Sequence, residues 1–205
     1  MGCQWKQLPI DKDAQGKPEI HYTHIYSAFR RWQADGCIDA VFTNSVLALK
    51  QTGHLDISVI HGDGTTTAAK KGGDNVGFSG HKKVKGDKAV IFCDRNCNVI
   101  VPLVSALSNC NESPMFREAL PQLKAIAQAV GLCLRGVIVS LNGVYDCRRN
   151  RKAIFNRGTT LNINENIRAR KTPKPGPKQL FDPVIFEERF NAIERVFGWE
   201  DKFKR

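Results

Sequence analysis

The sequence lacks any long apolar run. No stretch approaches the ~20 residues that a membrane-spanning helix needs, and the first residues lack the apolar segment of a secretory signal. Of the 205 residues, 41% are hydrophobic and 25% are charged, which is enough to bury one sizeable core. We therefore expect a soluble, globular protein of the cytoplasm.

The seven cysteines form no CxxC pair, and the chain contains no HExxH motif. His21 and His24 lie three residues apart, but no cysteine pair accompanies them. The spacing therefore matches no common structural zinc pattern. Because there is no export signal, we expect reduced thiols rather than disulfides.

Acidic residues are scarce relative to basic ones. Twenty Asp and Glu face 31 Lys and Arg, which gives a net charge of +11 and an isoelectric point near 9.5. Such a field attracts polyanions, so nucleic acid is the first expected partner. A surface charge that only keeps the protein in solution is the alternative.

Hydrophobic periodicity divides the chain near residue 52. Residues 20–50 predict a helix pair that resembles a helix-turn-helix. The following segments predict strands at 57–60, 89–93, 99–104, 136–141 and 160–163, and helices from 113, over 147–156 and from 183. This order predicts an α/β domain over 53–205, with a mixed sheet flanked by helices, after a small helical segment over 1–52.

Acidic side chains follow two of the predicted strands and occupy the last helix. Asp63 is expected to close the first strand, residues 142–146 close the fourth, and Glu194 lies on the final helix. Carboxylates are the ligands that Mg²⁺ prefers, and two such ions about 4 Å apart can hold the attacking and leaving oxygens of a phosphodiester. Groups from distant parts of the chain would have to converge for that chemistry.

Four segments of the sequence resemble conserved blocks of one enzyme family. They read IHGDGTTTAAKKGG, GFSGHKKVKGDKAV, LNGVYDCRRNRKAIFNRG and RFNAIERVFGWEDKFKR. Together they are similar to the bacterial insertion-sequence transposases of the DDE class, over essentially the whole chain. The resemblance implies an RNase H-like catalytic domain, two Mg²⁺ or Mn²⁺ ions, and cleavage and joining of double-stranded DNA. It also implies a nucleoid-associated protein that can act as a homodimer on DNA.

The same resemblance assigns the catalytic and metal-ligating positions to Asp63, Asn142 and Glu194. Asn142 departs from the family pattern, which has an Asp there, and an amide brings no negative charge to a cation. Asp146 is the alternative carboxylate. Arg189 and Lys202 match DNA-contacting positions, each one residue out of step with the family spacing.

Further basic residues are candidates for DNA binding. They are Lys70, Lys71, Lys82 and Lys83 in a Gly- and Lys-rich loop, and the proline-rich strip 168–178. Compared with the family, the chain is expected to be truncated at both ends, so residues 1–52 would be the remnant of a DNA-recognition region. A catalytically inactive DNA-binding relic and a general nuclease of the same fold are the alternatives.

Overall fold

The computed structural model of the chain describes residues 4–69, 76–166 and 180–202. Its helices are α1 (Tyr22–Ala34), α2 (Cys37–Gln51), α3 (Glu112–Ala129), α4 (Arg148–Phe155) and α5 (Pro183–Lys202). Its strands are β1 (Val59–Ala68), β2 (Gly77–Ser79), β3 (Val84–Asp94), β4 (Val104–Leu107), β5 (Ile138–Leu141) and β6 (Thr160–Ile163). The predicted α/β class and the helix pair that precedes the sheet are confirmed.

The strands form one mixed sheet in the order β4-β3-β1-β5-β6, with β2 beside β4 on the outer edge of β3. β3 runs antiparallel to β1, whereas β5 runs parallel to β1 and β6 runs parallel to β5. Because parallel neighbours need a crossover, α3 precedes β5 and α4 joins β5 to β6. The sheet therefore combines an antiparallel half with a parallel half that meet at β1.

Helices cover both faces of the sheet. On one face, Ile60, Phe92 and Leu141 pack with Phe116 and Leu120 of α3 in the main core. On the other face, Ile91 and Cys93 pack with Ile193 and Val196 of α5 in a smaller cluster. Neighbouring residues of β3 point to opposite faces, so this strand contributes to both cores.

Helix α3 begins two residues earlier than expected from the sequence, in which Ser113 is the predicted N-cap. The side chain of Asn111 caps the helix instead, because its Oδ1 accepts a hydrogen bond of 2.8 Å from the Ser113 N–H. The helix continues through Pro121 to Ala129. Its buried residues include Phe116, Leu120 and Leu123, so packing against the sheet holds it in place.

The first helices form a small unit with its own aromatic contacts. The ring of Trp5 lies 5.4 Å from that of Tyr26 and 5.3 Å from that of Phe29. Helix α2 is joined to the end of α3, because Lys50 Nζ donates to the carbonyls of Val130 and Gly131 at 2.8 Å each. Within the described residues, no helix has the length and apolar character that a membrane crossing requires.

Two strand predictions are wrong in their limits. β1 continues past Asp63 to Ala68, because its second half pairs with a part of β3 that the Gly- and Lys-rich composition had assigned to a loop. Of the predicted strand 99–104, only Val99 bridges to Cys93, and β4 starts at Val104. Pairing between strands overrides local propensity in both places.

A substitution at Gly86 tests the close approach of β3 to β1. A Cβ atom at this position would overlap the backbone carbonyl of Thr67, whereas no atom lies within 4 Å of a Cβ at Gly80. We expect Gly86→Ala to lower the free energy of unfolding by about 3 kcal/mol, and Gly80→Ala to change it by less than about 0.5 kcal/mol. Urea denaturation measures both, and equal stability of the two variants would contradict the pairing.

Candidate functional site

The structure brings Asp63 and Asn142 to neighbouring positions on the sheet. The last residue pair in the parallel register of β1 and β5 is Gly62 with Leu141, and Asp63 and Asn142 are the next residue of each chain segment. The Asn142 side chain is exposed, and its Oδ1 accepts from the Val144 N–H at 3.3 Å at the start of a 3-10 turn. These two predicted positions therefore lie at the same end of the parallel strands.

The Asp63 carboxylate is bound by a buried arginine of α5. The guanidinium of Arg189 donates to Asp63 Oδ2, and Arg189 is only 3% exposed. Burial raises the pKa of the Asp63 carboxyl above its ordinary value, the Arg189 charge opposes that shift, and the Glu112 carboxylate adds to it. Asp63 is thus already paired with a cation from its own chain.

Glu112 is an acidic residue of this site that sequence reasoning missed. Its carboxyl group lies against the backbone of Gly64, where a Cβ would come within 2.7 Å of the Glu112 Cδ. Lys88 Nζ lies 3.2 Å from Glu112 Oε1, and the Tyr145 hydroxyl donates to Oε2 at 3.2 Å. Its only signal in the sequence was an acidic residue in the first turn of a helix, which usually serves the helix dipole.

A second ion pair joins α5 to the sheet beside Asp63. Arg95 donates to both carboxylate oxygens of Glu188 at 2.6 and 2.8 Å, and these bonds lower the pKa of Glu188. His61 Nε2 lies 3.3 Å from Glu188 Oε1, and His61 is fully buried. Sequence reasoning had not singled out any of these three residues.

Glu194, the third predicted position, is not brought to this site. The buried face of α5 consists of Arg189, Ala192, Ile193 and Val196, and Glu194 is exposed. The hydrophobic periodicity of this helix predicts that Phe186, Phe190, Ile193 and Phe197 face inward, and this is partly wrong because Phe190 is 58% exposed. The helix is rotated because Arg189 turns inward toward Asp63.

The described geometry does not fit a pair of magnesium ions. The Asp63 carboxylate is paired with the Arg189 guanidinium, the Asn142 side chain is neutral, and Glu194 is exposed. In the parts of the chain that the structure describes, no three His, Cys, Asp or Glu side chains are grouped so that they could hold a metal ion. Two of the three predicted positions therefore lie at neighbouring places on the sheet, and the third lies on the exposed side of α5.

Asp146, the alternative carboxylate, is a structural residue in this arrangement. It is 8% exposed, its Oδ1 accepts from Arg151 Nε at 2.7 Å, and its Oδ2 accepts from the Asn166 N–H at 3.0 Å. These bonds join the start of α4 to the segment after β6. Both carboxylate oxygens of Asp146 thus accept hydrogen bonds from their own chain.

The predicted DNA-contacting residues fall into three groups. Lys82 and Lys83 are exposed in the turn between β2 and β3, and Lys202 is exposed at the end of α5, with its Nζ 5.6 Å from the Trp199 ring centre. Arg189 is buried against Asp63, so it does not lie on the surface. Lys70, Lys71 and the strip 168–178 lie outside the described residues.

Comparison with known proteins adds no relative. No family model, no curated protein and no solved structure matches the chain.

Replacing Arg189 tests the ion pair with Asp63. We expect Arg189→Met to lower the free energy of unfolding by about 3 kcal/mol, because it leaves a largely buried carboxylate without its partner. The double variant Asp63→Asn with Arg189→Met should recover much of this loss. The exposed Arg195 on the same helix provides the control, and Arg195→Met should be near neutral in urea denaturation. A stable single Arg189→Met variant would contradict the pairing.

His61 should make stability depend on pH. Its pKa is lowered mainly by burial, although Glu188 opposes the shift, so the unfolded chain takes up a proton before the folded chain does. Stability should therefore fall as the pH drops below about 6.5, the ordinary value for histidine. Thermal unfolding between neutral and mildly acidic pH should show a weaker dependence for His61→Gln. The exposed His24→Gln should keep the wild-type profile.

Proposed function

We propose that this chain is a DNA-binding protein of the DDE transposase type that acts in DNA transposition. The observation that carries the proposal is the strand order β4-β3-β1-β5-β6, with Asp63 and Asn142 side by side where the parallel pairing of β1 and β5 ends. An RNase H-like domain uses a mixed sheet of this kind, and the four sequence blocks put their family's first and second catalytic positions at these residues.

Charge supports double-stranded DNA as the partner. The net charge of +11 attracts a phosphate backbone, and Lys82 and Lys83 are exposed on the turn at the antiparallel side of the sheet. Phosphate contacts of this kind hold a protein on DNA without reading its sequence. Recognition of element ends would therefore depend on further contacts to bases.

The reaction that the resemblance implies has two displacements at phosphorus. Hydrolysis at the element end frees a 3′-hydroxyl, which then attacks the target DNA. In the family, Mg²⁺ or Mn²⁺ ions held by three carboxylates supply the electrostatic stabilisation for both steps. Because Asp63, Asn142 and Glu194 do not fit such ions in the geometry described above, we assign no catalytic step to them.

A catalytically inactive DNA-binding relic is the second candidate. Two observations favour it: Asn142 stands where the family has a carboxylate, and Arg189 already neutralises Asp63. A relic of this kind would keep the fold and the affinity for DNA while it loses cleavage. The two candidates therefore differ in strand transfer and agree in DNA binding.

A strand-transfer assay with Mg²⁺ and with Mn²⁺ separates the two candidates. It compares the wild type with Asn142→Asp on DNA that carries terminal inverted repeats. Product from the wild type is the result that a protein acting in transposition requires. The relic predicts no product from the wild type or from Asn142→Asp, because Arg189 pairs with Asp63 and Glu194 is exposed in both proteins. Asn142→Ser, which adds no charge, is the matched control for the substitution.

Three other results would change the proposal. Activity of the wild type would refute a disabling role of Asn142. If unrelated competitor DNA suppresses cleavage to the same extent as competitor DNA with terminal repeats, the protein is a general nuclease. The absence of any DNA binding by the wild type would refute the proposal as a whole.

A further inference from the structure

Helix α4 carries an exposed cationic face without acidic neighbours on the helix. Its sequence is RRNRKAIF, and its exposed residues are Arg148, Arg149, Lys152 and Phe155. We call this set the α4 basic face. Within the described residues, no ion pair is found for its three cations.

The inner side of α4 fixes the direction of this face. Asn150 is fully buried, and its Nδ2 donates to Ser113 Oγ at 2.7 Å and to the Tyr145 carbonyl at 3.0 Å. Its Oδ1 accepts from Arg117 at 2.8 Å, and Ile154 is also fully buried. Because the helix cannot rotate without breaking these contacts, its cations must remain on the surface.

Fold stability does not explain these cations. Arg148 and Arg149 lie in the first turn of α4, where the positive end of the helix dipole disfavours positive charge. Acidic residues are the usual choice at such a position, yet the first turn has none. Two arginines here oppose the folding of the helix rather than support it, which favours a role with an anionic partner.

The α4 basic face starts shortly after Asn142 in the chain, which favours the DNA of the proposed function as that partner. β5 ends at Leu141, Asn142 follows it, and one 3-10 turn leads from there to the start of α4. The face therefore begins at the edge of the sheet where Asp63 and Asn142 meet. A phosphate backbone that passes this edge would meet Arg148 and Arg149 next.

We propose that the α4 basic face binds the phosphate backbone of double-stranded DNA beside the Asp63 and Asn142 edge. This inference rests on the proposed function and names a surface that holds the DNA there. Arg148, Arg149 and Lys152 contact phosphates, so the binding is independent of base sequence. Each cation that contacts a phosphate releases counterions, which makes the affinity depend on salt.

The test measures DNA affinity by fluorescence anisotropy at several salt concentrations. For Arg148→Ala with Lys152→Ala, we expect weaker binding to every duplex and a plot of log affinity against log salt that is shallower by about two. Lys124→Ala with Arg195→Ala is the control, since it removes two exposed cations from α3 and α5. It should leave the slope unchanged. Arg148→Lys, which keeps the charge, should also keep the wild-type slope.

The outcomes distinguish this inference from the proposed function. If the wild type binds DNA and the α4 double variant keeps the same affinity and slope, this inference is wrong and the proposed function stands. If the control lowers the slope as much as the α4 variant does, the effect is one of net charge and the inference is also wrong. Tighter binding of an RNA duplex of the same sequence would overturn the choice of DNA.

Discussion

The ion pair between Asp63 and Arg189 is the contact on which the arrangement around the site depends. It joins α5, the only described helix on its face of the sheet, to the middle of β1. A charge pair taken out of water is stable only when both partners are present, so the two residues fix each other. Glu188 and Arg95 form a second connection close by, and together the two pairs set the rotation of the helix.

This contact also explains why the site is incomplete. With Arg189 turned inward, Ala192, Ile193 and Val196 follow it onto the sheet, and Glu194 is carried to the exposed side. The same guanidinium supplies the positive charge that a metal ion would bring to Asp63. Asn142 adds no charge at the neighbouring position. The neutral amide of Asn142 and the cationic side chain of Arg189 both reduce the negative charge that would attract a metal ion to Asp63.

Local patterns predicted most elements of this fold. The short apolar strand β5, the strand β6 and the start of α5 at Pro183 follow from hydrophobic runs and from helix start signals. The second half of β1 and the first half of β3 do not, because Gly, Thr and Lys dominate there and pairing alone makes them strands. The orientation of α5 was only partly predicted. A hydrophobic pattern favours burial of Phe190 over burial of Arg189, and Arg189 is buried instead because it pairs with Asp63.

The candidate site was predictable to the same extent. Asp63 and residues 142–146 were noticed because they follow predicted strands, and the resemblance of the sequence blocks then singled out Asp63 and Asn142. Glu112, Lys88 and Tyr145 were missed because their meeting depends on the packing of α3 over Gly64. No spacing in the sequence encodes that contact. Ion pairs between residues far apart in the sequence cannot be predicted from spacing, because they depend on the fold.

Binding of Mn²⁺ tests the central claim most directly. Mn²⁺ is titrated into the wild type and into Asp63→Asn, which lacks this carboxylate. The paramagnetic signal of free Mn²⁺ gives the amount bound to each protein. We predict the same binding curve for both, because Arg189 already occupies Asp63. A saturable site that is present in the wild type and lost in Asp63→Asn would contradict this account.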